Sequence, residues 1–273
     1  SLAPDLKIIA PIREWKLARD EEIKFAKSHG IPVPTKPESP YSVDQNLWGR
    51  SIECGKLDYP EHEPPEEVFE WTNSPENALK KSSYIEVEFE EGVPKRLNGE
   101  KLNPVSLVEK LNAIGGEYGI GRIDHMENRL VGIKSREVYE CPAATLLIEA
   151  HKDLEKIVLS KHELAFKQYV DTQWAYLAYN GLWLEPLKED LDAFIEKSQE
   201  RVFGKVRIKL YAGGLSIVGR SSPYSLYDLN LATYDIRTTF DQSWSKGFIE
   251  VWGLPTVIAN ILKSKIERKR KKV

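Results

Sequence analysis

Four prolines fall within the ten residues Ile31–Pro40, and no other feature limits the fold of this chain as strongly. Each proline fixes φ near about −65° and removes a backbone donor, so the run suits neither a helix interior nor a central strand. It is expected to be an extended linker and the main domain boundary. The residues before it are few. Leu6–Ala10 reads as a strand-like run, and Arg19–Ser28 as a helix with Gly30 just past its stop.

Beyond the linker, two periodicities alternate without a regular βαβ rhythm. Tyr84–Glu90 sets Ile85, Val87 and Phe89 against Glu86, Glu88 and Glu90, the pattern of a half-buried strand. Glu91-Gly92 is a turn, and Val93–Leu97 supplies the returning strand. Val206–Val218 reads as a second hairpin turning at Gly213-Gly214. Between the hairpins, helices are expected over Pro104–Ile114 (ended by Gly115-Gly116), Ala143–Ile157 behind Pro142, Ser160–Tyr179, and Glu185–Ser198. Ser42 with Gln45 matches the S-x-x-Q capping box of a helix start. Clustered helices with a mixed β-sheet make the expected class α+β.

The composition is that of a folded, water-facing chain: 273 residues, 41% hydrophobic and 30% charged. No run approaches the 18 apolar residues of a membrane span. Cys54 and Cys141 are read as unlinked thiols of a cytoplasmic protein. The five histidines show no HxxxH or HExxH spacing, so no metal site is expected. Net charge is −3, yet Lys263–Val273 alone carries +6. Apolar residues at helical spacing over Leu254–Ile266 place these cations in the last turns of a helix, where the macrodipole favours them. The competing reading is a non-catalytic module that docks nucleic acid or a protein partner through this basic tip.

The segment Gly119–Pro142, GIGRIDHMENRLVGIKSREVYECP, packs about ten ionisable groups and three glycines into one stretch without apolar periodicity. It is read as a loop that grips a small zwitterion, since each charged end of such a ligand needs a counter-group. Glu127 offers a carboxylate for an ammonium, or pairs with Arg122, Lys134 or Arg136. Tyr139 offers a hydroxyl to the same pocket, or packs in the core.

The pattern GxGRIDxxENRxxGxKSRxxYExPA in this segment resembles the synthetase-domain signature of the argininosuccinate synthase family. SPYSVDQNLWGRSIE (Ser39–Glu53), IEKSQERVFGKV (Ile195–Val206) and VGRSSPYSLY (Val218–Tyr227) agree with that family in the same order. The resemblance implies ATP-driven ligation of citrulline to aspartate through a citrullyl-adenylate, with Mg²⁺ assisting. It implies that Ser42, Ser51, Glu127 and Tyr139 line the citrulline pocket. It assigns no catalytic residue, cofactor-binding residue or metal ligand to these residues.

The family's nucleotide-binding half carries an SGGxDTS loop, which is absent here, as is GxxxxGK[ST]. The chain is therefore expected to be a C-terminal portion of the enzyme, inert alone. Residues 1–35 would be the tail of the nucleotide-binding domain, 36–250 the synthetase domain, and 251–273 a protruding helical arm that assembles a homotetramer. Neither nucleic acid nor membrane is an expected partner on this reading.

Overall fold

The computed structural model describes residues 2–16, 18–32 and 40–271. The proline run lies mostly outside the described residues. In chain order the elements are α1 (Pro11–Trp15), α2 (Arg19–Ser28), β1 (Ser42–Gln45), β2 (Arg50–Glu53), β3 (Ser83–Glu90), β4 (Val93–Leu97), β5 (Glu100–Lys101) and α3 (Pro104–Glu117). There follow β6 (Arg122–Asn128), β7 (Lys134–Glu140), α4 (Pro142–Val158), α5 (Lys161–Tyr179), α6 (Pro186–Gln199), β8 (Gly204–Tyr211), β9 (Gly214–Ser221), α7 (Leu229–Ala232) and α8 (Trp244–Arg270). This is an α+β fold, and its two sheets are antiparallel throughout.

The chain divides into two interleaved compact units. One holds Ser1–Lys81, Val108–Leu146 and Tyr211–Gly214; the other holds Ser82–Leu107, Leu147–Leu210 and Leu215–Val273.

In the first unit, a four-stranded sheet runs β1-β2-β7-β6. One face covers a cluster of Tyr41, Ile52, Leu57, Val68 and Val138, with Phe69 packed against it. The expected strand over Leu6–Ala10 does not form. Extended chain becomes a strand only when a neighbour completes its ladder, and Ile8 and Ile9 lie exposed there instead. Helix α3 also runs past its expected end, through Gly115 and Gly116 to Glu117. The glycines serve close approach rather than termination. A Cβ on Gly116 would stand 2.1 Å from the Trp71 carbonyl oxygen, and the Gly116 carbonyl accepts from Asn73 N–H at 2.9 Å.

In the second unit, a five-stranded sheet runs β5-β4-β3-β8-β9. Ile85 faces Ile208 and Val87 faces Val206 across β3 and β8, and all four are buried. Antiparallel register puts directly opposed side chains on one face, so these pairs form a continuous apolar layer. Helix α5 opens on the capping box of Ser160 and Glu163. It packs on α6 through Val170, Leu177 and Leu191. The expected helix over Leu254–Ile266 lies inside the longer α8, whose Trp252, Val257, Ile261 and Leu262 are exposed. No described helix is long and apolar enough to cross a membrane.

Candidate functional site

The polar segment Gly119–Pro142 is a β-hairpin, not a loop. Its alternation is carried by polar residues, which a search for apolar periodicity passes over. The turn between β6 and β7 is closed by Arg129 N–H on the Ile133 carbonyl at 2.9 Å and Gly132 N–H on the Arg129 carbonyl at 2.7 Å. At the other end, Gly121 has φ of +98°, and a Cβ there would lie within 2.7 Å of the Cys141–Pro142 backbone. Glycine alone tolerates both conditions.

Ser42 and Gln45 belong to strand β1, so no helix starts there and the capping box does not form. The tight turn after β1 is built by Asn46, whose side-chain oxygen accepts from Trp48 N–H at 2.8 Å and Gly49 N–H at 3.3 Å. An asparagine that hydrogen-bonds the backbone two residues on mimics a turn residue. This geometry fixes the register of β1 on β2, pairing Ser42 with Glu53 and Asp44 with Ser51.

Register then sorts the side chains between the two faces. Ser51 is opposite Tyr139, Tyr139 opposite Ile123, Glu137 opposite His125, and Ser135 opposite Glu127. Side chains alternate along each strand and cross-strand partners share a face. Ser42, Ser51, Glu127 and Tyr139 therefore all occupy the face away from the apolar cluster, and all four are half-buried. The Tyr139 hydroxyl lies 3.4 Å from Glu127 Oε2 and 2.6 Å from Glu137 Oε2. The Ser135 hydroxyl lies 3.4 Å from Glu127 Oε1. Ser51 donates a long bond, 3.5 Å, to the Asp44 carbonyl. Two of the other three candidates, Ser51 and Glu127, thus lie beside Tyr139. Ser42 shares their face but sits on the edge strand, roughly 12 Å from Tyr139 by strand spacing and rise.

Burial, together with the carboxylates of Glu137 and Glu127, holds the Tyr139 phenol well above its ordinary range. It stays protonated and available for hydrogen bonding at any physiological pH.

The three cations read as possible partners of Glu127 hold other groups. Arg122 and Arg136 lie on the opposite face. Arg122 makes a bidentate pair with Glu66 (2.7 and 2.8 Å), donates to Thr72, and stacks 3.8 Å from the centre of the Phe69 ring. Arg136 forks onto Asp124 at 2.6 and 2.8 Å and reaches the carbonyls of Tyr59 and His62. These guanidinium contacts hold the Glu66 and Asp124 carboxyls below the usual carboxylate range. Lys134 donates to Asn128 at 2.6 Å.

Behind the site is a buried hub. Glu140 is 0% exposed and accepts from Glu70, Trp71 and Thr72 N–H, the Thr72 hydroxyl, and Arg50 Nη1, all between 2.7 and 3.0 Å. Arg50, 4% exposed, also donates to the Val68 carbonyl at 2.6 Å. Because Arg50 and Glu140 are directly opposed on β2 and β7, this pair locks the register that puts Ser51 beside Tyr139. The hub, like Ser135 and Glu137 on the open face, was missed from sequence. Ser135, Glu137 and Tyr139 are spaced by two, which is the signal, but it acquires meaning only once the segment is known to be a strand.

Such a face is suited to a small polar ligand carrying a cation: a carboxylate, a protonated phenol and hydroxyls lie within one side chain's reach. Comparison with known proteins agrees with the residue patterns. Residues 41–259 match the model of the arginosuccinate synthase C-terminal domain, and residues 1–32 match that of the arginosuccinate synthase N-terminal HUP domain. Argininosuccinate synthase of Rubrobacter xylanophilus is 57% identical over 255 residues, covering 93% of this chain and 62% of the relative. That of Symbiobacterium thermophilum is 56% identical over 266 residues, covering 97% and 66%. That of Pyrococcus furiosus is 53% identical over 259 residues, covering 95% and 62%. The chain spans somewhat under two thirds of the length of these curated relatives.

Proposed function

The chain belongs to the argininosuccinate synthase family, and from that membership we propose that it supplies the citrulline-binding part of an ATP-dependent ligase that joins citrulline to aspartate. The supporting observation is the convergence of Ser51, Glu127 and Tyr139 on one open sheet face. Glu127 receives the α-ammonium of citrulline, Tyr139 adds its hydroxyl, and Ser51 and the more distant Ser42 offer hydroxyls along the rest of the ligand. Held at its amino-acid end, citrulline presents its ureido oxygen outward to attack the α-phosphorus of ATP, which releases pyrophosphate and leaves a citrullyl-adenylate. The aspartate amine then displaces AMP, giving argininosuccinate. Fixing one reactant removes translational and rotational freedom from the barrier, which is the contribution this face makes.

ATP and Mg²⁺ belong to the whole reaction. No group of three or more metal-ligating side chains gathers among the described residues, so no phosphate step is routed through them. On this reading the phosphate contacts come from elsewhere in the enzyme, the isolated chain binds citrulline without turnover, and α8 is an arm for homotetramer assembly in the cytoplasm. Residues 1–35, 36–250 and 251–273 then correspond to the tail of the nucleotide-binding domain, the synthetase domain and the arm.

Calorimetric titration of the chain with citrulline tests the proposal. A charge-assisted hydrogen bond contributes about 1.5–3 kcal/mol, so Glu127→Gln is expected to weaken binding by roughly 10- to 100-fold. Equal affinity in the variant would remove Glu127 from the site.

A further inference from the structure

We infer that Glu137 is a positioning residue that turns the Tyr139 hydroxyl into a hydrogen-bond acceptor for the ligand's ammonium, an inference that rests on the citrulline reading above. A phenol has one proton to give. Two carboxylates compete for it, Glu137 at 2.6 Å and Glu127 at 3.4 Å. The shorter contact takes the proton, in the range of a charge-assisted O–H···O⁻ bond. The lone pairs of Tyr139 Oη are then left to accept, and Glu127 keeps its charge for an incoming cation.

A primary ammonium brings three N–H donors, and Glu127 with Tyr139 Oη supplies acceptors on adjacent groups. If Glu137 were absent, the phenol proton would swing to Glu127. Tyr139 would become a donor, repelling the ammonium it is meant to receive, and would occupy one of the Glu127 oxygens. Glu137 reaches this position because it lies two residues from Tyr139 on β7, on the same face.

The experiment is calorimetric titration of the chain with citrulline and with 5-ureidopentanoate, the analogue lacking the α-amino group. The variants are Glu137→Ala, Glu137→Gln, Tyr139→Phe and the Glu137→Ala/Tyr139→Phe pair, with unfolding midpoints recorded for each. Glu137→Ala is expected to weaken citrulline about tenfold, the loss of one hydrogen bond of about 1.4 kcal/mol, and to leave 5-ureidopentanoate unchanged. Glu137→Gln keeps an oxygen that accepts the phenol proton and is expected to stay within about threefold of the parent. In the Tyr139→Phe background, Glu137→Ala is expected to add less than about twofold, since its effect passes through the phenol.

Equal losses for both ligands, or fully additive losses in the paired variant, would overturn the inference and leave Glu137 a structural residue or a direct contact. Loss of citrulline affinity in Glu127→Gln with none in Glu137→Ala would sink this inference alone. A parent chain that binds no citrulline would sink the functional reading, and this inference with it.

Discussion

Glu140 and Glu127 lie on opposite faces of one four-stranded sheet, and their surroundings differ in a way that separates a structural role from the proposed binding role. Glu140 is sealed from water with its oxygens taken up by five short hydrogen bonds from Arg50, Thr72 and three backbone amides. Glu127 is half-exposed, and its contacts with Ser135 and Tyr139 are both long, at 3.4 Å. A buried charge with full partners resists change, because removing any partner strands the others. A partly solvated carboxylate is reachable from solvent, and its long contacts with Ser135 and Tyr139 are weaker than those of Glu140. The buried face holds the register, and the open face uses it.

That contrast is broken or sharpened by three single substitutions and one titration. Glu140→Ala should have the largest effect, about 3–5 kcal/mol of unfolding free energy, because Arg50 keeps only the exposed Glu70 carboxylate as a charge partner while the Glu70, Trp71 and Thr72 amides and the Thr72 hydroxyl lose their buried acceptor. A loss under about 1 kcal/mol in urea unfolding would refute the hub. Gly116→Ala comes next, at about 2–3 kcal/mol, since its Cβ would collide with the Trp71 carbonyl on the segment that Glu140 holds. Glu127→Ala is expected to move the unfolding free energy by no more than about 0.5 kcal/mol while abolishing measurable citrulline affinity. The same variant losing stability comparable to Glu140→Ala would erase the distinction between the faces.

The smallest effect is electrostatic. The Glu66 and Asp124 carboxyls are depressed in the folded chain by Arg122 and Arg136. Their stabilisation is therefore present above the ordinary carboxylate range, near about pH 4, and is lost as pH falls through their lower folded values. Both side chains are more than a third exposed, so solvent screening limits the sum to under about 1 kcal/mol. Urea midpoints measured from about pH 5 down to about pH 3 should fall less steeply in the Glu66→Gln/Asp124→Asn variant.

Much of this architecture is legible in the residues themselves, and the failures share one cause. The strand of Tyr84–Glu90 and its hairpin could be read because apolar residues mark one face, and helices α4 to α6 because their apolar stripes and caps are local. The β6–β7 hairpin could not, because both of its faces are mostly polar: one carries Arg122, Asp124, Arg136 and Glu140 around the buried Val138, the other Glu127, Ser135, Glu137 and Tyr139. Apolar alternation is faint where ion pairs flank a single buried apolar residue on the strand. The same gap turned Ser42–Gln45 into an expected helix start, when the deciding interaction was the Asn46 turn and the pairing with β2. Residue type and family pattern point to Glu127 and Tyr139, whereas Glu137 stands out only once the register is known. The glycines of α3 misled for a related reason: whether a glycine ends a helix or lets another backbone approach depends on what lies outside the helix.

The most direct measurement is a map of backbone amide shifts on adding citrulline to the isotopically labelled chain. The proposed site predicts saturable changes concentrated at Ser51, Glu127, Ser135 and Tyr139, with the amides of Glu70–Thr72 behind the sheet nearly still. Shifts centred elsewhere, with these strands unmoved at saturation, would contradict it.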